Sequence, residues 1–187
     1  MISEHPYPLH ELEQDIQAVI ANPKLVVAPN PILSTPCHSV EWSPLVDQFL
    51  ETMIMVMEMS GGIGLAAPQL GMPLNLLVAK TSKGIITAIN PVLKETSEEI
   101  VWYKEGCLSY PDYYVSIPRP ESVTVELEGE NPEFSLADTL DGLSARIVLH
   151  EMDHLKGICL ADKILELPKN KRRIAEQKLA KAMRKMK

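Results

Sequence analysis

The sequence predicts an α+β fold, with short antiparallel strands packed around a central helix and a further helix at the C-terminal end. Three observations carry this. Apolar residues recur at helical spacing in only a few stretches, each bounded by capping or breaking residues. Between them lie short apolar or alternating segments with turn signals, the mark of strands. No repeat, low-complexity tract or long linker divides the 187 residues, a length that suits one domain with its own core.

Taken in order, Leu9, Leu12, Ile16, Val19 and Ile20 share one helical face and stop at Asn22-Pro23, which predicts a short amphipathic helix. Pro29, Pro31 and Pro36 make the next stretch extended, running along the surface of the core. Ser43 is a good N-cap before Pro44. Leu45, Phe49, Met53 and Met57 then form a stripe that Gly61-Gly62 terminates. Residues 74–79 and 85–90 flank Ser82-Lys83-Gly84 as a hairpin would, and Val123, Val125 and Leu127 alternate as in a half-buried strand. A second long helix is expected to begin around Thr139, with Asp138 and Asp141 at its positive end and Gly157 closing it. The last helix fills much of 169–187, with Ala175, Leu179, Ala182 and Met186 on one face.

Composition narrows the class. With 45% hydrophobic and 23% charged residues the chain reads as an ordinary globular protein. Cys37, Cys107 and Cys159 are odd in number and far apart, so no disulfide framework is implied and a reducing compartment is the simplest setting. No apolar run is long enough to span a membrane, and the acidic N-terminus has neither the order of a signal peptide nor the composition of a transit peptide. The cytoplasm is the expected location. The net charge of −7 hides an asymmetry: residues 169–187 hold nine of the 18 Lys and Arg and one acid, Glu176. Such a tail is either an arm for a polyanion or a solvated terminal helix.

The clearest chemistry lies in His150-Glu151-Met152-Asp153-His154 on the second long helix. Four residues make just over one turn, so both imidazoles leave one face and can share an ion, with Glu151 beside them. Leu143 and Ile147 extend that face and set the pair in an apolar wall. A catalytic metal usually takes three protein ligands and a water. Glu176 could be the third, as in a zinc endopeptidase, but in its basic surroundings it is better explained as an ion-pair partner. Cys107, in Glu105-Gly106-Cys107-Leu108-Ser109, offers a thiolate suited to Zn²⁺ or Fe²⁺. A third segment, from Gly62 to Gln69, combines small residues that leave backbone amides open with a side-chain donor at Gln69.

Together these segments resemble the peptide deformylase family, known by Gly-x-Gly-x-Ala-Ala-x-Gln, Glu-Gly-Cys-Leu-Ser and a His-Glu-x-Asp-His helix, here at 62–69, 105–109 and 150–154. Ile89-Asn90-Pro91 and Pro118-Arg119 also look like the family, so the resemblance runs from roughly residue 25 to 165. It implies a catalytic region over 25–168, an N-terminal extension over 1–24 and a basic C-terminal helix over 169–187 within the same domain. The implied reaction is hydrolysis of the N-formyl group from the initiator methionine of nascent polypeptides, releasing formate. Cys107, His150 and His154 would hold one divalent ion, Fe²⁺ in the cell, with Zn²⁺, Ni²⁺ or Co²⁺ able to replace it. Glu151 would move the water proton, and Gln69 and the backbone N–H of Leu108 would steady the oxyanion. Gly62, Ile63, Gly64 and Ile147 would line the substrate site, while Arg119 and Arg146 are ion-pair partners as readily as site residues. The tail would dock on the ribosome. Leu149 stands where the family usually has Gln, which removes a hydrogen bond behind the ligands. Tyr110 and Tyr114 stand where bacterial members often have an aliphatic residue and an Arg. Two other readings fit the residues: the zinc endopeptidase, and a catalytically impaired ribosome-associated relative.

Overall fold

The structure, a computed structural model, describes residues 9–128 and 135–185. Helices α1 (Leu9–Ala21) and α2 (Pro44–Met59) come first, joined by a stretch that holds a one-turn 3-10 helix at Pro31–Ser34. Then follow β1 (Gly64–Ala66), a 3-10 turn at Ala67–Leu70, β2 (Leu76–Thr81), β3 (Gly84–Thr96), β4 (Ile100–Cys107), β5 (Tyr110–Pro120), β6 (Ser122–Glu128) and β7 (Ser135–Asp141). Helices α3 (Gly142–Leu155), α4 (Leu160–Leu165) and α5 (Lys169–Lys185) complete the chain. The strands form an antiparallel five-stranded sheet in the order β1-β2-β3-β6-β7 and a separate antiparallel ribbon of β4 and β5.

Strand β2 shows how the layers stack. Its side chains point alternately to opposite faces. Leu76 and Val78 join the cluster built on α1 and α2, with Leu12, Ile16, Phe49, Met53 and Met57. Leu77 and Ala79 join the other face, where α3 packs through Ala145, Val148, Leu149 and Met152. Both faces of β2 are therefore core over Leu76–Ala79, and that part of the strand is an unbroken apolar run for that reason. A third cluster ties the β4–β5 ribbon to α4 and α5 through Val115, Ile117, Leu160, Ile164, Ala175 and Ala182.

The helix ends follow the local chemistry. Ser43 accepts a hydrogen bond from Val46 N–H at 3.3 Å, and Pro44 opens α2. At its far end Gly61 has φ +68°, with Gly61 N–H bonded to Glu58 O and Gly62 N–H to Met57 O. That is a Schellman closure, and Gly157 closes α3 identically through His154 O and Ile158 N–H to Asp153 O. Gly157 has φ +71°, and a Cβ there would sit 2.9 Å from the Ser34 backbone. Gly157→Ala is expected to cost about 1–3 kcal/mol, read as a lower urea midpoint with an unchanged slope. An unchanged midpoint would contradict this account.

Several expectations needed correction. The second long helix does not begin around Thr139: Asp138 and Thr139 belong to β7, paired with Val125 and Thr124 of β6. The extended ladder captured this stretch because Leu140 is buried in the core that the sheet shares with α3, and Asp138 pairs with Lys83 of the β2–β3 turn. Asp141 is the N-cap residue, in extended backbone, without a side-chain cap bond. The Pro-rich stretch is not extended throughout, since Asn30 caps the 3-10 turn by accepting from Ile32 N–H. Nor does it merely follow the surface, because Ala28 and Leu33 are buried. Strand β3 is longer than expected, with 13 residues, and β5, with 11, is a strand that the sequence reading did not anticipate. Met186 lies outside the described residues. Asn90 has φ +49° and spends its side-chain amide on both backbone groups of Val40, at 3.0 and 2.9 Å, where the β3–β6 register slips. That double bond accounts for Asn between Ile89 and Pro91.

Candidate metal centre and substrate cleft

Helix α3 presents His150 and His154 one turn apart, with ring centroids 5.2 Å apart at 75°. Cys107 ends β4, where the pairing with β5 jumps from Gly106–Tyr114 to Cys107–Tyr110. This irregularity aims the thiol at α3: Cys107 Sγ lies 3.2 Å from His154 Nε2. One ligand atom from each of Cys107, His150 and His154 falls within 4.8 Å of the others. One sulfur and two imidazole nitrogens so placed fit a transition-metal ion. Glu151 lies alongside, 4% exposed, and its Oε2 has no hydrogen-bond partner among the described residues. Gly64 brings the β1 backbone against this acid: a Cβ there would collide with the Glu151 carboxylate and sit 2.8 Å from Ile147 Cγ2. Glu176 belongs to no such cluster; it pairs with Arg172 at 2.8 Å on α5.

Glu105 is the hub that sequence reasoning missed. Its carboxylate accepts from Arg119 Nε at 2.6 Å and Nη2 at 3.0 Å, and from Arg146 Nη1 at 2.6 Å. Its Oε2 also lies 3.0 Å from His150 Nδ1. Arg119 reaches on to Asp153 Oδ2 at 2.7 Å, and Arg146 to the carbonyls of Ile117 and Val101. Both arginines are thus placed as ion-pair partners of the carboxylate behind His150. Residues 105 and 107 share one face of β4, but no apolar alternation over 100–104 marks the strand, so the local sequence carries no signal for it.

The electrostatics follow from burial and this network. Burial alone would raise the Glu105 carboxyl, but hydrogen bonds from His150 and Arg119 and their charges hold it down, at about 2. Burial pushes the Glu151 carboxyl up to about 7 against the opposing pull of His150 and Arg119. Burial, helped by the charges of His150 and Arg119, drops His154 to about 3, which leaves its imidazole neutral and able to ligate. Burial also works against the charged form of His150, yet the sulfur of Cys107 and the Glu105 carboxylate outweigh it and raise its pKa.

A cleft of about 550 Å³ opens onto these groups. Its walls include Gly62, Ile63, Gly64, Gln69, Leu108 and Ile147, so the expected substrate-lining residues do converge. Gln69 sits in the 3-10 turn after β1, 1% exposed. Its Oε1 accepts from Ala66 N–H at 2.8 Å, which turns Nε2 toward Ser109 Oγ at 3.3 Å and Cys107 Sγ at 3.6 Å. One expectation changes: the Gly62 N–H is not open to a ligand, because the Schellman closure of α2 uses it. Tyr110 and Tyr114 both line the cleft, the first buried and the second exposed. The Tyr114 ring lies against Gly106, where a Cβ would come within 2.5 Å of its Cε1. Leu149 takes no part and packs into the core between α3 and the sheet.

A sequence model described as polypeptide deformylase matches residues 22–170. The chain is 40% identical to the peptide deformylase of Borreliella burgdorferi over 151 residues, 79% of this chain and 91% of that protein. It is 37% identical to that of Agrobacterium fabrum, covering 86% of this chain and 95% of the relative. Among solved structures, a plant peptide deformylase superposes with a TM-score of 0.79 at 30% identity, covering 88% of this chain and 91% of that one. The enzyme of Synechococcus elongatus gives 0.76 at 32% identity, with 84% and 86% covered.

Proposed function

From the premise that this chain belongs to the polypeptide deformylase family and removes the N-formyl group of nascent polypeptides, we propose which of its residues carry that reaction. One observation supports the assignment above the rest. Three soft and borderline donors, Cys107, His150 and His154, close on one point beside the buried carboxylate of Glu151, whose Oε2 lacks a partner among the described residues.

Cys107, His150 and His154 would hold the divalent ion, which supplies Lewis acidity and a water that ionises near neutrality. Glu151 then takes a proton on Oε2 and passes it to the leaving nitrogen, with a pKa near 7 that suits both halves of the transfer. As the water oxygen bonds to the formyl carbon, Gln69 Nε2 and the backbone N–H of Leu108 would donate to the formyl oxygen, where charge builds; the C–N bond then breaks as the nitrogen receives the proton from Glu151. The clamp on Gln69 Oε1 fixes the direction of that donor before substrate arrives. Ile147, with Gly62, Ile63 and Gly64 opposite, gives the methionine side chain an apolar slot. The endopeptidase reading is not favoured, since Glu176 is engaged by Arg172.

On the family resemblance we assign Fe²⁺ as the cellular ion; Zn²⁺, Ni²⁺ or Co²⁺ are competent substitutes, because one thiolate and two imidazoles suit all four. A ferrous thiolate site makes the enzyme oxygen-sensitive. No helix among the described residues is long and apolar enough to cross a membrane. We place the protein in the cytoplasm, with the outward cations of 169–187 contacting ribosomal RNA phosphates.

The test is anaerobic formate release from a short formyl-Met peptide with defined metal. Wild type is expected to turn over, and Cys107→Ala to lose both bound metal and formate release. Retention of one ion per chain and full turnover by that variant would remove Cys107 from the ligand set.

A further inference from the structure

A second recess, of about 260 Å³, borders the catalytic cleft. Lys104, Asp112, Tyr113 and Tyr114 belong to the walls of both. Its far wall is α5, which contributes Lys178, Lys181, Ala182 and Lys185. Those positions are spaced i, i+3, i+4 and i+7, one stripe of the helix. Tyr113 fastens α5 to the ribbon by donating its hydroxyl to Ala175 O at 3.1 Å, so the stripe is held in place. Four lysines and one aspartate leave the recess with a formal excess of three positive charges.

Two other cations of α5 already have company: Arg172 pairs with Glu176, and Lys171 lies 3.4 Å from the Trp102 ring centroid. Lys104 stands 4.9 Å over the Tyr114 ring, at the threshold between the two cavities. No acid pairs with Lys178, Lys181 or Lys185 among the described residues. Asp112, on the shared rim, holds the left-handed conformation at φ +60°, unusual for a residue with a side chain.

We propose that this lysine recess is a subsite for an acidic side chain of the nascent peptide, several residues after the formyl-methionine. The inference rests on the deformylase reading of the neighbouring cleft. A nascent chain whose first residue is seated beside Glu151 has to leave the cleft along its walls. An extended chain advances about 3.3 Å per residue, so a few residues carry it past the shared rim. There the lysines meet whatever charge the peptide bears, and an Asp or Glu is favoured over a neutral or basic residue. The outward face of α5 remains available to RNA, whereas the stripe turned into the recess faces the substrate path.

The experiment uses the metal-loaded full chain and formyl-Met peptides that are neutral except for a single Glu moved from the third to the eighth residue. Within each enzyme form the readout is the ratio of kcat/KM for the Glu peptide to that for its Gln counterpart. Wild type is expected to show a maximum of about two- to fivefold at one or two adjacent positions, carried by KM and lost in high salt. In a Lys178→Gln, Lys181→Gln, Lys185→Gln variant the ratio should fall to about one, and in Lys181→Glu below one. Circular dichroism and the melting temperature establish that each variant is folded. A flat profile in wild type, or a maximum that survives the triple substitution, overturns the subsite. Ribosome binding that depends on these three lysines, together with a flat profile, assigns them to RNA instead. Absence of turnover on every peptide strikes the deformylase reading; the same ratios, read as affinities of the unformylated peptides, still decide the subsite.

Discussion

Glu151→Ala is expected to lower formate release by about 10²–10⁴-fold while the protein still binds one divalent ion per chain. The expectation comes from position as much as from chemistry. Glu151 shares α3 with His150 and His154 but is not one of the three atoms that converge, so its loss should leave the metal set intact. Its carboxylate lies against Gly64, and its Oε2 has no hydrogen-bond partner among the described residues. Turnover with defined metal, alongside metal content, separates the two roles. A variant that keeps full activity would show that the proton moves by another route. One that loses the ion would make Glu151 a ligand.

Glu105→Gln is expected to be the most damaging single substitution for stability, at about 3–5 kcal/mol. Glu105 is 5% exposed and its carboxylate faces two buried guanidinium groups; once it is neutral, Arg119 keeps only Asp153 and Arg146 keeps only backbone carbonyls among the described residues. For a chain of this length that amounts to a fall in melting temperature of roughly 6–20 °C. The pH dependence has the same origin and a definite sign. Because the folded carboxyl is held near 2, below its ordinary value of 4.5, its contribution is present above about 4.5 and is lost as pH falls toward 2. The substitution also weakens the acceptor that orients His150, so metal affinity should drop by about 10–100-fold. A melting temperature within a degree or two of wild type would refute the hub.

How far the sequence anticipates the molecule depends on whether a signal is local. The histidine pair, the Ser43-Pro44 cap and the glycine closures are local, and the structure places them as read. The β4–β5 ribbon was not legible. Residues 100–104 of β4 are exposed or half-buried, so no apolar alternation marks the strand. Strand β5 carries Pro111, Pro118 and Pro120, which argue against a strand in a central position but are tolerated in a two-stranded ribbon. With the ribbon unseen, Glu105 and Cys107 could not be put on one face, and Arg119 and Arg146 had no visible common partner. The start of α3 was misplaced because Thr139 and its neighbours satisfy a capping pattern locally while pairing with β6 tertiarily.

The set of donors is split between two layers of the molecule. Cys107 closes the ribbon, which packs on α4 and α5, whereas His150 and His154 ride on α3, whose other side is sealed against the five-stranded sheet. An ion bound by all three would act as a rivet between halves that otherwise have separate cores. Occupancy and folding then become a single equilibrium, in which free metal at a hundred times its dissociation constant adds about 2.7 kcal/mol. The hardness of the rivet, and so the temperature at which the layers part, would differ from one metal to the next in the same polypeptide.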